Sequence, residues 1–259
     1  MLTAQRLASV LLSKIEIERK FIPTRAFLDA LKRQTKPATI QFIRDVYYDG
    51  NDSRLTLGGL WVRRRTVLDA GASSPRSSWE AKVRVGGDRV ASQFLEVEGP
   101  QAVEREIQRV LGERNVTIDA IHEHLEVMCD LTTRRLSSPL PLDLFPAPTT
   151  LPLEQLTVAI DQAVETKSGD FSAACGVLER PPQGFREREF FHEIGELELM
   201  EQVRTNATED DHEARRKVVA EERAAQLDAF INGYPALFPK TPTPQGKLNA
   251  YFAWLERHR

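Results

Sequence analysis

The chain has 259 residues, of which 41% are hydrophobic, and this is enough to bury one substantial core in a single large domain. Its formal net charge of −3 excludes a polybasic protein that binds nucleic acid or anionic membranes through bulk charge. The two cysteines, Cys129 and Cys175, form neither a disulfide framework nor a metal-ligand spacing, which indicates a reducing, cytoplasmic compartment.

The first part of the chain predicts helices that alternate with strands. Helical spacing of apolar residues indicates a helix over Leu2–Leu12, in an N-terminal extension of residues 1–14 that we expect to pack on the domain. A short transit peptide is the alternative, because Met1–Ser13 holds one arginine and no acid. The elements that follow are a strand at Ile15–Phe21, a helix at Arg25–Arg33, a strand at Thr39–Tyr48 and a third strand from Leu60.

The rest of the chain continues with strands joined by turns and ends in helices. Strands are predicted around Glu80–Arg84, Phe94–Glu98, Leu125–Leu136, Thr157–Asp161 and Glu193–Leu199. Polar or proline-rich connections are predicted at Asp69–Ser78, Gly86–Asp88 and Ser137–Pro152, and Ser168–Glu189 is expected to be part strand and part irregular excursion. Helices are predicted after Gly99-Pro100, at Glu209–Phe230 and at Lys247–Leu255, and we expect the helices of residues 205–259 to pack on the strands.

Ionisable residues recur at every second position of several predicted strands. In Ile15–Phe21 this alternation puts Glu16, Glu18 and Lys20 on one face and aliphatic residues on the other. The pattern returns at 61–65, 80–84, 94–98 and 196–199. A solvated charged face is the alternative, but the repeated mixture of signs favours a closed barrel whose charged faces line a shared lumen.

These motifs also carry a family resemblance. The stretch 16–21 resembles the Glu-x-Glu-x-Lys signature of the CYTH superfamily, the triphosphate tunnel metalloenzymes. Segments 45–49, 61–65, 79–82 and 195–198 resemble, in the same order, the motifs of its thiamine triphosphatase branch. The resemblance implies one domain over residues 1–259, mainly β within the α+β class, built as a closed antiparallel eight-stranded β-barrel tunnel with surrounding helices. It also implies hydrolysis of thiamine triphosphate to thiamine diphosphate and phosphate.

Acidic side chains on three strands then share the lumen. They are Glu16, Glu18, Asp161, Glu196 and Glu198. Left unpaired, they would repel one another and raise each other's pKa. Pairing with lumen arginines would account for one or two of them and not for five, whereas hard divalent cations take carboxylate ligands. We therefore expect one or two Mg²⁺ ions, with Mn²⁺ as an alternative, and the resemblance implies Lys20, Glu18 and Glu198 as catalytic residues.

Basic side chains supply the expected binding site for the substrate. They are Lys20, Arg63, Arg65, Lys82, Arg135 and Lys247, of which Lys247 is implied by the resemblance alone. Strand alternation turns Arg64 away from the lumen, and the resemblance favours Arg135 over Arg134 as the inward residue. A triphosphate carries about four negative charges near neutral pH, and arginine forks match phosphate oxygens.

Trp61 bears on the choice of substrate. It shares strand parity with Arg63 and Arg65, and the resemblance implies that it is a platform for the cationic thiazolium ring. The alternative for Trp61 is an aromatic wedge between barrel and helix, while Trp79 has the opposite parity and is expected in the core.

Other functions remain open at this point. The alternatives are hydrolysis of inorganic tripolyphosphate or of a nucleoside or RNA 5′-triphosphate, and a non-catalytic polyphosphate-binding module. The sequence has no P-loop motif and no histidine pair with metal-ligand spacing. We expect a monomer that takes a small-molecule triphosphate and binds neither membrane nor nucleic acid.

Overall fold

The computed structural model describes residues 11–33, 38–146, 149–179, 185–186, 188–205 and 208–258. Its eight long strands are β1 (Leu11–Phe21), β2 (Thr39–Asp49), β3 (Leu60–Asp69), β4 (Arg76–Gly87), β5 (Ala91–Glu98), β6 (Glu126–Pro139), β7 (Leu156–Glu165) and β8 (Phe191–Thr205). They pair antiparallel in the order β1-β5-β4-β3-β2-β6-β7-β8 and close on themselves. The predicted fold class, a closed antiparallel eight-stranded barrel with surrounding helices, is confirmed.

Helices connect the strands and cover the outside of the barrel. They are α1 (Arg25–Arg33), α2 (Arg54–Leu57), α3 (Pro100–Leu111), α4 (Phe171–Leu178), α5 (Glu209–Asn232) and α6 (Lys247–His258). The turn before α3 follows the sequence signal, since Gly99 adopts a positive φ of 93° and Pro100 occupies the first helical turn. Within the described ranges, no helix combines the length and the hydrophobicity needed to cross a membrane.

The hydrophobic core lies outside the barrel and not within it. Ile15 and Ile17 of β1 are buried in the same cluster as Leu227 and Phe230 of α5. A second cluster joins α3 to the outer faces of β3 and β4. Because side chains alternate along a strand, this arrangement sends the intervening charged residues into the lumen.

The predicted N-terminal helix is wrong where the structure can test it. Residues 1–10 lie outside the described residues, but Leu11–Lys14, expected at the end of a helical extension, belong to β1. The strand extends this far because β8 continues to Thr205 and pairs with β1 along its whole length. Cross-strand hydrogen bonding therefore overrides the helical spacing of these residues.

Three connections also differ from the prediction. The segment Ser168–Glu189 contains helix α4, whose first turn is capped by the Asp170 carboxylate, and no strand in its described part; residues 180–184 and 187 lie outside it. The loop Asp69–Ser78 is shorter than expected, because β3 runs to Asp69 and β4 begins at Arg76. The loop Ser137–Pro152 begins inside β6 and contains one short 3₁₀ turn at Leu142–Leu144, with residues 147–148 outside the described part.

Candidate active site in the barrel lumen

The lumen holds one large cavity of about 690 Å³. Eight basic and five acidic side chains of the described residues line it. The bases are Lys20, Arg63, Arg65, Lys82, Arg84, Arg89, Arg135 and Lys247, and the acids are Glu16, Glu18, Glu96, Glu196 and Glu198. The excess of basic over acidic groups makes the cavity a site for an anion.

Two arginines of β3 form a rigid basic cluster on one wall. Arg65 donates two hydrogen bonds of 2.7 Å to the Asp45 carboxylate, and Arg63 donates bonds of 3.1 and 2.8 Å to Glu80. Burial alone would raise the pKa of Asp45, but the guanidinium groups of Arg65 and Arg63 hold it well below its usual range. Arg64 is exposed and points away from the cavity, as predicted.

Arg135 of β6 binds three acidic side chains of β7 and β8. It donates two bonds of 2.7 Å to the fully buried Asp161, one of 3.0 Å to Glu196 and one of 3.0 Å to Glu198. Lys247, from the start of α6, contacts the same Asp161 carboxylate. The last helix therefore adds a base to one end of the tunnel.

Lysines neutralise the two glutamates of β1. Lys20 pairs with Glu18, and Lys82 of β4 reaches past β5 to Glu16. Burial raises the pKa of Glu16 and Glu18, but the neighbouring ammonium groups outweigh it, so both carboxyls have a lowered pKa. Both glutamates are therefore ionised at neutral pH.

Glu198 differs from these glutamates. Burial, reinforced by the negative charges of Glu16 and Glu196, raises its pKa to about 7, and Arg135 only partly offsets the effect. The pKa of Glu96 is also raised, by burial and then by Glu16. Glu198 is therefore partly protonated near neutral pH, in contrast to Glu16 and Glu18.

Basic side chains pair with more of the lumen acids than predicted. Ion pairing was expected to account for one or two of the five predicted lumen acids, but each of the five has a basic partner within 4.0 Å. Three of them share Arg135, which contacts Asp161, Glu196 and Glu198 together. The sequence could not reveal this sharing, because it depends on the register of β6, β7 and β8.

The chemistry of the donor set still fits a hard divalent cation. In the described part of the chain, no three acidic, histidine or cysteine side chains converge on one point as a preformed metal site. A bound triphosphate, however, would pair with the same lysines and arginines that now neutralise the acids. The carboxylates would then lose their basic partners, and carboxylate oxygens are ligands that Mg²⁺ takes together with phosphate oxygens.

The structure places every sequence-predicted site residue at the lumen. All of them line the cavity except Asp161, which lies beneath Arg135 and Lys247. Trp61 also lines it, with its ring edge-on to Phe94 at 5.4 Å, and Trp79 packs on the outer core as expected.

Sequence reasoning missed several lumen residues. Glu96 and Arg84 line the cavity, and Glu80 pairs with the lining residues Arg63 and Arg65. All three lie in strands whose alternation had been recognised, so strand parity alone could have found them. Asp45 needed the register of β2 against β3, which pairs it with Arg65. Arg89 lies in the turn between β4 and β5, where no periodic pattern applies.

Comparison with known proteins gives one family match. The model of the CYTH domain family matches residues 14–228, a range that contains every lumen residue described above except Lys247. No curated protein matches the chain significantly.

Solved structures with a similar fold include three distant ones. The PH1819 protein from Pyrococcus horikoshii is 10% identical, with a TM-score of 0.46, over 94% of this chain and 99% of that one. A candidate adenylate cyclase from Bacillus halodurans is 13% identical, with a TM-score of 0.42, over 93% and 99%. HpAC1 from Hippeastrum, a candidate adenylyl cyclase described as having a dominant triphosphatase activity, is 15% identical, with a TM-score of 0.45, over 93% and 95%.

Proposed function

This chain belongs to the CYTH domain family, and from that premise we propose that it is a metal-dependent hydrolase of a linear triphosphate. The observation that carries the proposal is the closed lumen in which eight bases and five acids line one cavity. A binding module for an anion would need the bases, but it would not need buried glutamates beside them. An enzyme that brings a polyanion and its metal together needs both.

The arginines bind and orient the phosphate chain. Arg63, Arg65 and Arg135 present guanidinium groups to the cavity, and carboxylates behind them hold their planes in place. Such preorganised donors stabilise the charge that develops on a transferred phosphoryl group without reorganising during the reaction. Lys20 of β1 and Lys82 of β4 add further positive charge, and each is paired with a glutamate of β1.

The lumen glutamates are the proposed metal ligands, and one of them is the proposed acceptor of a proton from water. Glu16, Glu18, Glu196 and Glu198 would supply oxygen ligands to Mg²⁺ or Mn²⁺, with Asp161 as a further candidate behind Arg135. The bound ion supplies charge neutralisation of phosphate oxygens and a lowered pKa for a water molecule. With its own pKa raised to about 7, Glu198 can accept a proton from water near neutral pH.

Two substrates are candidates, and different observations favour them. Trp61 at the cavity favours thiamine triphosphate, since an indole face stabilises a cation by ~0.5–2 kcal/mol. The Arg84 guanidinium lies 5.1 Å from the centre of the same ring, so a thiazolium would compete with it for that face. This second observation favours inorganic tripolyphosphate, which has no ring to stack. For either substrate we expect a monomeric, cytoplasmic enzyme.

Kinetics of a Trp61 variant separate these candidates. If thiamine triphosphate is the substrate, Trp61→Ala should raise its KM about tenfold, which corresponds to ~1.4 kcal/mol, and should leave tripolyphosphate nearly unaffected. Trp61→Phe should recover part of the loss. The test measures steady-state phosphate release by wild type and both variants. The substrates are thiamine triphosphate, tripolyphosphate and ATP. Binding of all three without turnover would contradict the proposed hydrolase activity.

A further inference from the structure

Two arginines at the cavity differ from all the other bases there. Six bases of the lumen each lie within 4.0 Å of an acidic group: Lys20, Arg63, Arg65, Lys82, Arg135 and Lys247. Arg84 and Arg89 line the same cavity, but among the described residues neither has such a partner. Their neighbour Asp88 accepts hydrogen bonds from the backbone of its own turn and lies in no ion pair of the described part. Arg84 and Arg89, both exposed at the cavity, are therefore the lining bases that no acidic group of the described residues holds within 4.0 Å.

The fold fixes the position of Arg84. Its backbone N–H donates a 2.8 Å bond to the carbonyl of Gly59, and the register of β4 against β5 shifts directly after it. Gly59 has a positive φ of 73°, and a Cβ at this position would lie 3.3 Å from the Cβ of Arg84. This close approach leaves the Arg84 side chain over the Trp61 ring, at the end of the barrel where β3 begins.

The lumen bases form a track that leads to this end. Arg63 lies opposite Glu80, Trp61 lies opposite Lys82, and Gly59 bonds to Arg84, so the three cross-strand pairs follow one another along the tunnel. Two residues of a strand span ~7 Å. Arg84 thus lies one step outside Lys82, and Arg89 lies in the turn beyond it. A phosphate chain held by the inner bases would reach these two arginines if it were longer.

We propose that Arg84 and Arg89 form an outer anion subsite that binds the fourth phosphate of a linear polyphosphate. The inference rests on the proposed function, since the inner three phosphates must occupy the lumen bases first. It extends the substrate class to chains of four or more phosphates. The same two charges disfavour a cationic group at this end of the tunnel.

Kinetics on chains of different length test the subsite. For the double variant Arg84→Ala/Arg89→Ala, the KM for inorganic tetrapolyphosphate should rise about tenfold more than the KM for tripolyphosphate, because one charge-assisted contact site is lost. Arg84→Lys should keep most of the preference, and Arg64→Ala, which removes an outward charge from β3, should affect both chains equally. An equal rise for both chains in the double variant would mean that the arginines only attract anions in general, and the proposal would be overturned.

Direct binding separates this proposal from the hydrolase proposal. Calorimetric titration of the whole protein with tripolyphosphate and with tetrapolyphosphate is done in EDTA to prevent turnover. Wild type should bind tetrapolyphosphate more tightly than tripolyphosphate, and Arg84→Ala/Arg89→Ala should not. A protein that binds this way but releases no phosphate with Mg²⁺ would refute the hydrolase and retain the subsite. Equal affinity of wild type for the two chains would refute the subsite, whatever the turnover.

Discussion

Replacing Arg135 with alanine should destabilise the protein more than any single surface change. Arg135 makes four hydrogen bonds of 2.7–3.0 Å to Asp161, Glu196 and Glu198. Breaking a buried ion pair by removing one partner costs about 3–5 kcal/mol, because a buried charge is left without compensation. Lys247 still contacts Asp161 in the variant, so we expect a loss of about 3 kcal/mol in the free energy of unfolding.

The loss should grow with pH. Without Arg135, Glu198 loses the cation that partly offsets its burial, so its folded-state pKa should rise further above its value in the unfolded chain. A raised acid pKa stabilises the fold while the group is protonated, and this stabilisation is lost as pH rises through the folded value. Since the pKa of Glu198 is about 7 even with Arg135 present, the variant should lose more stability at pH 8 than at pH 6.

Urea unfolding followed by circular dichroism, in EDTA at both pH values, measures the effect. The matched control is Arg134→Ala on the outer face of the same strand, which should change the free energy of unfolding by less than about 0.5 kcal/mol. Mg²⁺ should stabilise Arg135→Ala more than it stabilises wild type, because the variant has uncompensated carboxylates. Equal losses for the two arginine variants would refute the central position of Arg135 in the lumen.

Two further predictions concern the arginines of β3 and their partner Asp45. Arg63→Ala and Arg65→Ala should each reduce kcat/KM for every triphosphate by at least about tenfold, since each removes a charge-assisted phosphate contact. The control Arg64→Ala should leave kcat/KM nearly unchanged. An equal effect of Arg64→Ala in the same kinetic assay would show that the strand faces are misassigned. Asp45 has a lowered pKa, so its stabilisation is full above about pH 4 and is lost as pH falls through the folded value. The stability difference between wild type and Asp45→Asn in urea unfolding should therefore shrink by about 0.7 kcal/mol from pH 6 to pH 3.5, and a difference that grows in acid would contradict the pairing.

Strand alternation predicted the barrel and most of its lumen. The period of two in β1 separated Glu16 and Glu18 from Ile15 and Ile17, and the structure places the two pairs in the lumen and in the outer core. This inference worked because a buried strand has only two faces and both were chemically distinct. The choice of Arg135 as inward came from resemblance, and the structure agrees with it.

Features that depend on cross-strand register could not be predicted from the chain. Asp45 meets Arg65 only because β2 and β3 pair in one particular register. Residues Leu11–Lys14 become strand because β8 is long enough to pair with them, which their own sequence does not reveal. The bonding of three acids to Arg135 also depends on cross-strand register. Because of it, the number of lumen acids by itself no longer indicates a metal.

Phosphate release from tripolyphosphate, measured with Mg²⁺ and with EDTA, decides whether the lumen is a metal-dependent active site. We expect release with Mg²⁺, none in EDTA, and a loss of about 100-fold in Glu18→Gln, which keeps the shape of the side chain but removes its charge. Glu222→Gln on the exposed side of α5 serves as the control and should match wild type. Release that persists in EDTA, or a Glu18→Gln variant as active as Glu222→Gln, would contradict a metal-dependent hydrolase in this lumen.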